Sequence, residues 1–262
     1  MTQLNNNKQQ NILTPKGTCW FISDLHLAPE ETRITAGFFD FILQPQAGDT
    51  LFILGDFFNY WIGDDVEHPY TEQIKQVLKA TADRGVCIYI MHGNRDFLIG
   101  SQFCQQTGCT LLPDPTLIDL KGEATLLMHG DSLCTRDTDY MQFRKMARNP
   151  AWQAQFLGKT IEERLAFANQ ARSESESSNS MKDDEIMDVT ADEVDIALEQ
   201  HNCKHMIHGH THRPNIHQWS KNGEQRQRIV LGDWYKKGWY LKHDGNQLDF
   251  VQFDLPRETP SS

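Results

Sequence analysis

A chain of 262 residues with 39% hydrophobic and 10% aromatic content is long enough for one large α/β domain carrying an insertion, and too apolar to be disordered throughout. Its formal charge of −11, from 25 basic and 36 acidic residues, repels polyanions and disfavours nucleic acid as a partner. No apolar run approaches the roughly 18 residues of a spanning helix, and no basic stretch followed by an apolar one opens the chain, so a cytoplasmic protein is expected.

In chain order, residues 1–17 are expected to be a flexible tail, because Asn6, Asn7, Gln9 and Gln10 leave no apolar periodicity. Residues 18–262 are expected to form the folded domain. Short apolar runs at 19–22, 50–54, 86–91, 124–128 and 203–207 suit strands buried on both faces. Helices are predicted at 71–82, which stops before Arg84-Gly85, at 138–147, and at 191–201 behind Thr190 as N-cap. Between about 149 and 182 the strand rhythm gives way to a polar helical segment, expected to be a cap insertion. Within it Trp152, Phe156, Leu157, Ile161, Leu165 and Ala168 recur at helical spacing, whereas the serine-rich run 173–180 reads by composition as a linker. Asn222-Gly223 and Asp244-Gly245 are hairpin dipeptides, flanked by predicted strands at 215–220, 227–231, 238–243 and 248–253. The six cysteines include no Cys-x-x-Cys pair and read as core thiols.

Each of the five apolar strands is followed at once by metal-type donors. The segments are Ser23-Asp24-Leu25-His26, Gly55-Asp56, His92-Gly93-Asn94-Arg95-Asp96, His129-Gly130-Asp131 and His208-Gly209-His210-Thr211-His212. In an open α/β sheet the C-terminal strand ends share one edge, so the five loops converge. Gly-Asp alone is an ordinary turn and one histidine an ordinary polar residue; five such clusters after five strands carry the signal. Imidazole, carboxylate and amide donors without thiolate suit manganese, iron, cobalt or catalytic zinc. Seven donors exceed what one ion needs. A carboxylate shared by two ions about 3.5–4 Å apart accounts for the number and suits in-line phosphoryl displacement.

Asp24-x-His26, Gly55-Asp56, Gly93-Asn94-Arg95-Asp96, Gly130 after His129 and Gly209-His210-Thr211-His212 resemble the signature of the calcineurin-like metallophosphoesterases over about residues 20–215. The resemblance implies one metal on Asp24, His26, Asp56 and His210, and a second on Asp56, Asn94, His129 and His208, with Asp56 as the bridge. Most of that superfamily has histidine after the Gly-Asn pair, where it assists departure of an alkoxide. This chain has Arg95, which is a poor general acid but a good bidentate phosphate clamp. A leaving group that is itself a phosphate needs little protonation, so Arg95 favours pyrophosphate cleavage.

Longer segments narrow the match. Phe21-Ile22-Ser23-Asp24-Leu25-His26-Leu27, Trp61-Ile62-Gly63-Asp64-Asp65, His92-Gly93-Asn94-Arg95-Asp96-Phe97-Leu98 and Ile207-His208-Gly209-His210-Thr211-His212-Arg213-Pro214 are similar to the UDP-2,3-diacylglucosamine diphosphatase family of lipid A biosynthesis. That family implies an α/β/β/α fold, with two packed mixed β-sheets flanked by helices and a helical cap insertion. It implies two manganese ions and hydrolysis of UDP-2,3-diacylglucosamine to UMP and 2,3-diacylglucosamine 1-phosphate, a hydroxide on the metal pair attacking the phosphorus nearer uridine. Asp56, Arg95 and His208 are then catalytic, and Asn94, Arg95, Asp137, Ser175, Asn179, Lys182 and His208 contact substrate. A monomer in transient contact with the cytoplasmic face of the inner membrane is also implied. The cap departs from the family pattern in its acidic residues Glu162, Glu163, Glu174 and Glu176, which weaken the case for membrane attachment. Two other readings share the donors: a phosphoesterase for another nucleotide diphosphate or a phosphodiester, and a non-catalytic scaffold, which would tolerate lost ligands where this chain keeps all of them.

Overall fold

The five apolar runs become strands in a computed structural model, which describes residues 12–179, 186 and 188–257. A six-stranded sheet runs in the order β11 (Leu248–Asp254), β10 (Lys237–His243), β1 (Cys19–Ile22), β2 (Thr50–Leu54), β3 (Cys87–Met91), β4 (Thr110–Leu112). A five-stranded sheet runs β5 (Thr116–Leu120), β6 (Glu123–Leu127), β7 (His205–His208), β9 (Glu224–Val230), β8 (Asn215–Lys221). β1 to β4 are mutually parallel, as are β6, β7 and β9, while β5, β8, β10 and β11 pair antiparallel with their neighbours. The donor-bearing strands are therefore divided three and two between the sheets, and their loops meet across the sandwich rather than along one edge.

Side-chain alternation along the strands builds the layers. Phe21, Phe52, Leu54 and Met91 face Ile118, Leu127, Ile207 and Ile229 of the other sheet in one buried cluster. Phe52 stacks between Phe21 and Tyr89, with ring centroids at 5.0 and 5.3 Å. The intervening residues Trp20, Ile22, Leu51, Ile53, Ile88 and Ile90 face outward, under α1 (Thr32–Phe41), α2 (Pro69–Asp83) and α3 (Ser101–Thr107). On the far side α7 (Ala191–Gln200) covers Leu126 and Met206 with Val194, Ala197 and Leu198. The result is the expected helix–sheet–sheet–helix sandwich.

α2 starts two residues earlier than the periodicity suggests, because Pro69 takes the first helical position and His68 accepts the Tyr70 amide. α1, α3, β4 and β5 were not marked by sequence. α1 has no side-chain N-cap bond and is rich in aromatic and β-branched residues; its burial of Ile34, Phe38 and Phe41 at i, i+4 and i+7 holds it. The Asn222-Gly223 hairpin forms with both residues at positive φ, whereas Asp244-Gly245 closes a longer loop in which Asp244 accepts the amides of Asn246 and Gln247.

Residues 1–11, most of the expected tail, lie outside the described residues. Of the remainder, Leu13 donates to the Leu117 carbonyl and accepts from the Asp119 amide, so it runs as a short parallel addition to β5. All six cysteines are free; Cys19, Cys109, Cys134 and Cys203 are buried, Cys104 is half-buried, and Cys87 is exposed rather than in the core.

The segment beyond β6 builds the cap side. Asp137 caps α4 (Thr138–Ala147), Asn149 caps α5 (Pro150–Leu157), and α6 spans Ile161–Asn179. The serine-rich run is thus helical in backbone as far as Asn179. Trp152, Phe156 and Phe167 form an aromatic cluster that reaches Phe97. Leu165 and Ala168 are half-buried, while Leu157 and Ile161 are exposed.

Candidate metal centre

The donors leave their strands through strained backbone. Asp24, His26, Asp56, His210 and His212 all have positive φ, between 49° and 68°. Five non-glycine residues in the left-handed region within one site are held there by their surroundings, and such strain gathers at functional sites. The surroundings are visible. The Asp24, His26 and Leu27 amides donate to the carbonyls of Gly55, Asp56 and Phe57, carrying the β1–β2 ladder into the loops. Buried Asp96 accepts the amides of Gly93, Phe57 and Phe58, tying the loop after β2 to the loop after β3. Gly93 is required where it stands, since a Cβ there would lie 2.1 Å from Asp56 Oδ1. Gly209 meets the same limit against Ser23 Oγ, at 2.0 Å.

These loops bring two overlapping groups together: Asp24, His26 and His212; and Asp24, Asp56 and His129. The Asp56 carboxylate lies between His26 and His129, with Oδ2 3.9 Å from His26 Nε2 and Oδ1 3.8 Å from His129 Nε2. Asn94 Oδ1 stands 2.9 Å from both His129 Nε2 and His210 Nδ1. His212 Nε2 is 3.4 Å from Asp24 Oδ1 and 3.3 Å from His26 Nε2. His129 Nδ1 donates to the Leu54 carbonyl at 2.9 Å, which turns Nε2 toward Asn94 and Asp56.

Acceptor atoms converging in a buried space need a cation among them. Asp24 is fully buried and Asp56 nearly so, and Asp24 Oδ1 and His26 Nδ1 have no hydrogen-bond partner. Burial lifts the Asp56 carboxyl to about 7 despite His129 beside it. Burial also opposes ionisation of Asp24, but His212, 3.4 Å away, outweighs it and holds that carboxyl well below its usual range. Burial pulls His129 down, yet Asp56, Asp24 and Asp131 raise it to about 9, and the negative potential that holds a proton there equally attracts a metal ion. Histidine, carboxylate and amide donors in this number fit a pair of divalent cations.

His208 is the last residue of β7, paired in register with Val230; it is fully buried, within reach of the charges of Asp24 and His210, and belongs to neither of the two groups above. Its Nδ1 donates to the Gly209 carbonyl at 2.8 Å and its Nε2 is 3.4 Å from Arg228. The strand extends one residue beyond the predicted end at 207, so His208 closes β7 and His210 and His212 follow in the loop. Both of those sit at positive φ; His208 does not.

A cavity of about 620 Å³ opens onto the donors. Its polar end holds His26, Asp56, Asn94, Arg95, Asp137, His210 and His212; Tyr60, Trp61, Ile62, Phe97, Leu98, Phe143, Phe156 and Phe167 line the rest. Arg95 is fixed at its backbone by a 2.8 Å bond from its amide to Asp56 Oδ1. Asp137 is buried at the start of α4. Ser175 and Asn179 lie on the α6 backbone with side chains outside the described residues, and Lys182 lies wholly outside them.

Tyr140 and Arg144, on α4, escaped the sequence reading. Tyr140 packs on the His210 ring at 5.8 Å and donates to Asp131 Oδ2 at 2.6 Å; Arg144 Nε donates to the same oxygen at 2.8 Å. Burial opposes ionisation of Asp131, but His129 and Arg144 outweigh it and hold the carboxyl well below its ordinary range. A carboxylate depressed in the folded state stabilises it above the unfolded pKa of about 3.9, and that stability is lost as pH falls through the folded value. Asp131→Asn is therefore expected to lower unfolding free energy at pH 7 by about 3–5 kcal/mol, the range for breaking a buried pair. In urea unfolding series the difference from wild type should narrow below about pH 4; a difference that is constant with pH would remove the charge from this account.

The sequence model of the calcineurin-like phosphoesterase family matches residues 17–214. A curated UDP-2,3-diacylglucosamine hydrolase of Cellvibrio japonicus is 48% identical over 236 residues, covering 90% of this chain and 98% of its own length. Those of Pseudomonas entomophila and Pseudomonas aeruginosa are each 49% identical over 238 residues, covering 89% and 90% of this chain and 98% of their own lengths. The family model takes in every donor loop, and the chain belongs to the calcineurin-like phosphoesterase family, in the branch formed by these UDP-2,3-diacylglucosamine hydrolases.

Proposed function

We propose that this protein hydrolyses the pyrophosphate bond of UDP-2,3-diacylglucosamine to UMP and 2,3-diacylglucosamine 1-phosphate, a step of lipid A synthesis. The observation that carries the reading is one continuous cavity with the donor cluster and Arg95 at one end and aromatic, apolar side chains at the other. A nucleotide diphosphate alone leaves the aromatic end without a function, and a free lipid leaves the charged end without one.

In this reading Asp24, His26, Asp56 and His210 would hold one manganese ion, and Asp56, Asn94, His129 and His208 the other, with His212 beside Asp24 and His26. When bound, the pair supplies Lewis-acid charge stabilisation and activates water at neutral pH. The protein's residues supply the rest. Arg95 grips the pyrophosphate bidentately and stabilises charge on the departing lipid phosphate without giving up a proton. His129 is kept in its orientation by the Leu54 carbonyl and His210 by the Tyr140 ring. Asp137 and Asn94 stand beside the sugar-phosphate part, with Ser175, Asn179 and Lys182 as further contacts from the cap. Phe97, Phe143, Phe156 and Phe167 exclude water and receive the acyl chains.

The protein is read as a monomer that meets the cytoplasmic face of the inner membrane only transiently to collect its lipid. Exposed Met146, Leu157 and Ile161 on the cap helices support such a contact. Among the described residues no helix is long and apolar enough to cross a membrane.

Attack at the phosphorus nearer uridine predicts that turnover in ¹⁸O-labelled water places the label in UMP and leaves the lipid phosphate unlabelled. Label in the lipid phosphate would reverse the assignment of leaving group. UDP-N-acetylglucosamine, which lacks both acyl chains, should be cleaved much more slowly; equal rates would favour a nucleotide diphosphatase indifferent to lipid.

A further inference from the structure

The segment Trp61-Ile62-Gly63-Asp64-Asp65 contributes no donor to the metal centre, yet both carboxylates are engaged. Asp64 accepts from Trp61 Nε1 at 2.9 Å and from the Gly100 and Phe103 amides at 3.0 and 2.9 Å, which fixes the loop to the start of α3. Asp65 accepts both terminal nitrogens of Arg164, on the cap helix α6, at 2.7 and 2.5 Å. Arg164 also donates to the Ile62 carbonyl at 2.8 Å.

Arg164 is 2% exposed, and its Nε finds no partner among the described residues. Asp65, whose side chain is 57% exposed, supplies the counter-charge from the solvent side, and the Ile62 carbonyl holds the guanidinium from within. The loop is shaped to receive it. Gly63 has φ +136°, and a Cβ there would lie 2.5 Å from both Arg164 Nη1 and Asp65 Oδ1 and 3.0 Å from Leu157 of α5. Trp61 and Ile62 from the loop, and Phe156, Phe167 and Ala168 from the cap, line the same cavity, while Arg164 and Asp65 stay outside its lining. The ion pair thus joins, from behind, the two walls of the apolar end.

The geometry points to a positioning role in specificity: the Arg164–Asp65 pair, seated over Gly63, docks the cap helices on the loop after β2 and sets the apolar end of the cavity to the width that acyl chains require. The pair acts through the walls and touches neither substrate nor donors. This role rests on the diacyl substrate proposed above, and the two can be tested apart.

Wild type, Arg164→Gln, Asp65→Asn, Gly63→Ala and Arg164→Lys are compared on UDP-2,3-diacylglucosamine and on bis(p-nitrophenyl) phosphate, with metal content and hydrogen exchange of α5 and α6 measured on each. The first three substitutions are expected to lower kcat/KM for the lipid by up to about 100-fold, mainly through KM, the size of loss when a distant change misplaces binding groups by roughly 1 Å. Metal content and cleavage of the aryl diester should stay at the wild-type level, exchange in α5 and α6 should quicken, and Arg164→Lys should recover part of the loss. Equal losses on both substrates, or an unchanged KM for the lipid, would overturn the role in specificity. Unaltered exchange in Arg164→Gln would overturn the docking itself, whatever the substrate. A wild-type enzyme that cleaves the aryl diester but not the lipid would instead sink the diacyl substrate, and with it the use assigned to the pair.

Discussion

An Asp56→Ala protein is expected to bind less metal than wild type and to turn over at least about 1,000-fold more slowly, the rate equivalent of the several kcal/mol of charge stabilisation that a correctly held metal pair supplies. The expectation follows from position. Asp56 is the carboxylate with one oxygen facing His26 and the other facing His129, so its loss affects both halves of the centre. It also removes the acceptor of the Arg95 amide, which positions the phosphate clamp. Two companions sharpen the test. His208→Gln should likewise deplete metal and activity, whereas His212→Ala, whose ring meets Asp24 and His26 from the exposed side, should keep both metals. Metal analysis on the three proteins, each checked for folding by circular dichroism, decides the matter. Metal retention in His208→Gln with loss in His212→Ala would move the ligand role from His208 to His212.

Arg95→Ala carries the second large effect, and its signature differs. Turnover should fall by about 100- to 1,000-fold, the loss on removing one preorganised donor to a developing anion, with both metals retained. Arg95→Lys should recover only part of this, since an ammonium supplies charge without the bidentate fork. Arg95→His tests the leaving-group argument. If the departing group is a phosphate, a proton donor at this position gains little and the variant stays slow. Recovery of wild-type rate by Arg95→His would mean that proton donation limits turnover and that Arg95 is not acting as a clamp. Metal loss in Arg95→Ala would assign the arginine to holding the centre together.

Much of this site is legible from the chain. Apolar strands ending at Ile22, Leu54, Met91 and Leu127 each hand over within a few residues to Asp24, Asp56, Asn94 and His129, and strand burial with donor chemistry suffices to group them. The histidines at 208, 210 and 212 show where that reasoning stops. In a run with histidine at every second position, hydrophobicity places the strand end at Ile207 whereas the hydrogen-bonded ladder carries on to His208. The division of the five strands between two sheets is equally hidden, because a buried run reads alike in either. The docking of Leu13 beside β5 and the formation of α1 depend on contacts far along the chain and leave little local pattern. Arg164 gives no signal of its own. On an exposed helix face arginine is the ordinary choice, and only the fold places this one 2% exposed against Ile62 and Asp65.

The measurement that bears most directly on the central claim is UMP release from UDP-2,3-diacylglucosamine by the metal-stripped protein, with and without added manganese, beside a generic aryl phosphodiester. Fast release that requires manganese, is abolished by a chelator and far exceeds turnover of the diester is the predicted result. Release indifferent to metal, or a diester cleaved faster than the glycolipid, would contradict it.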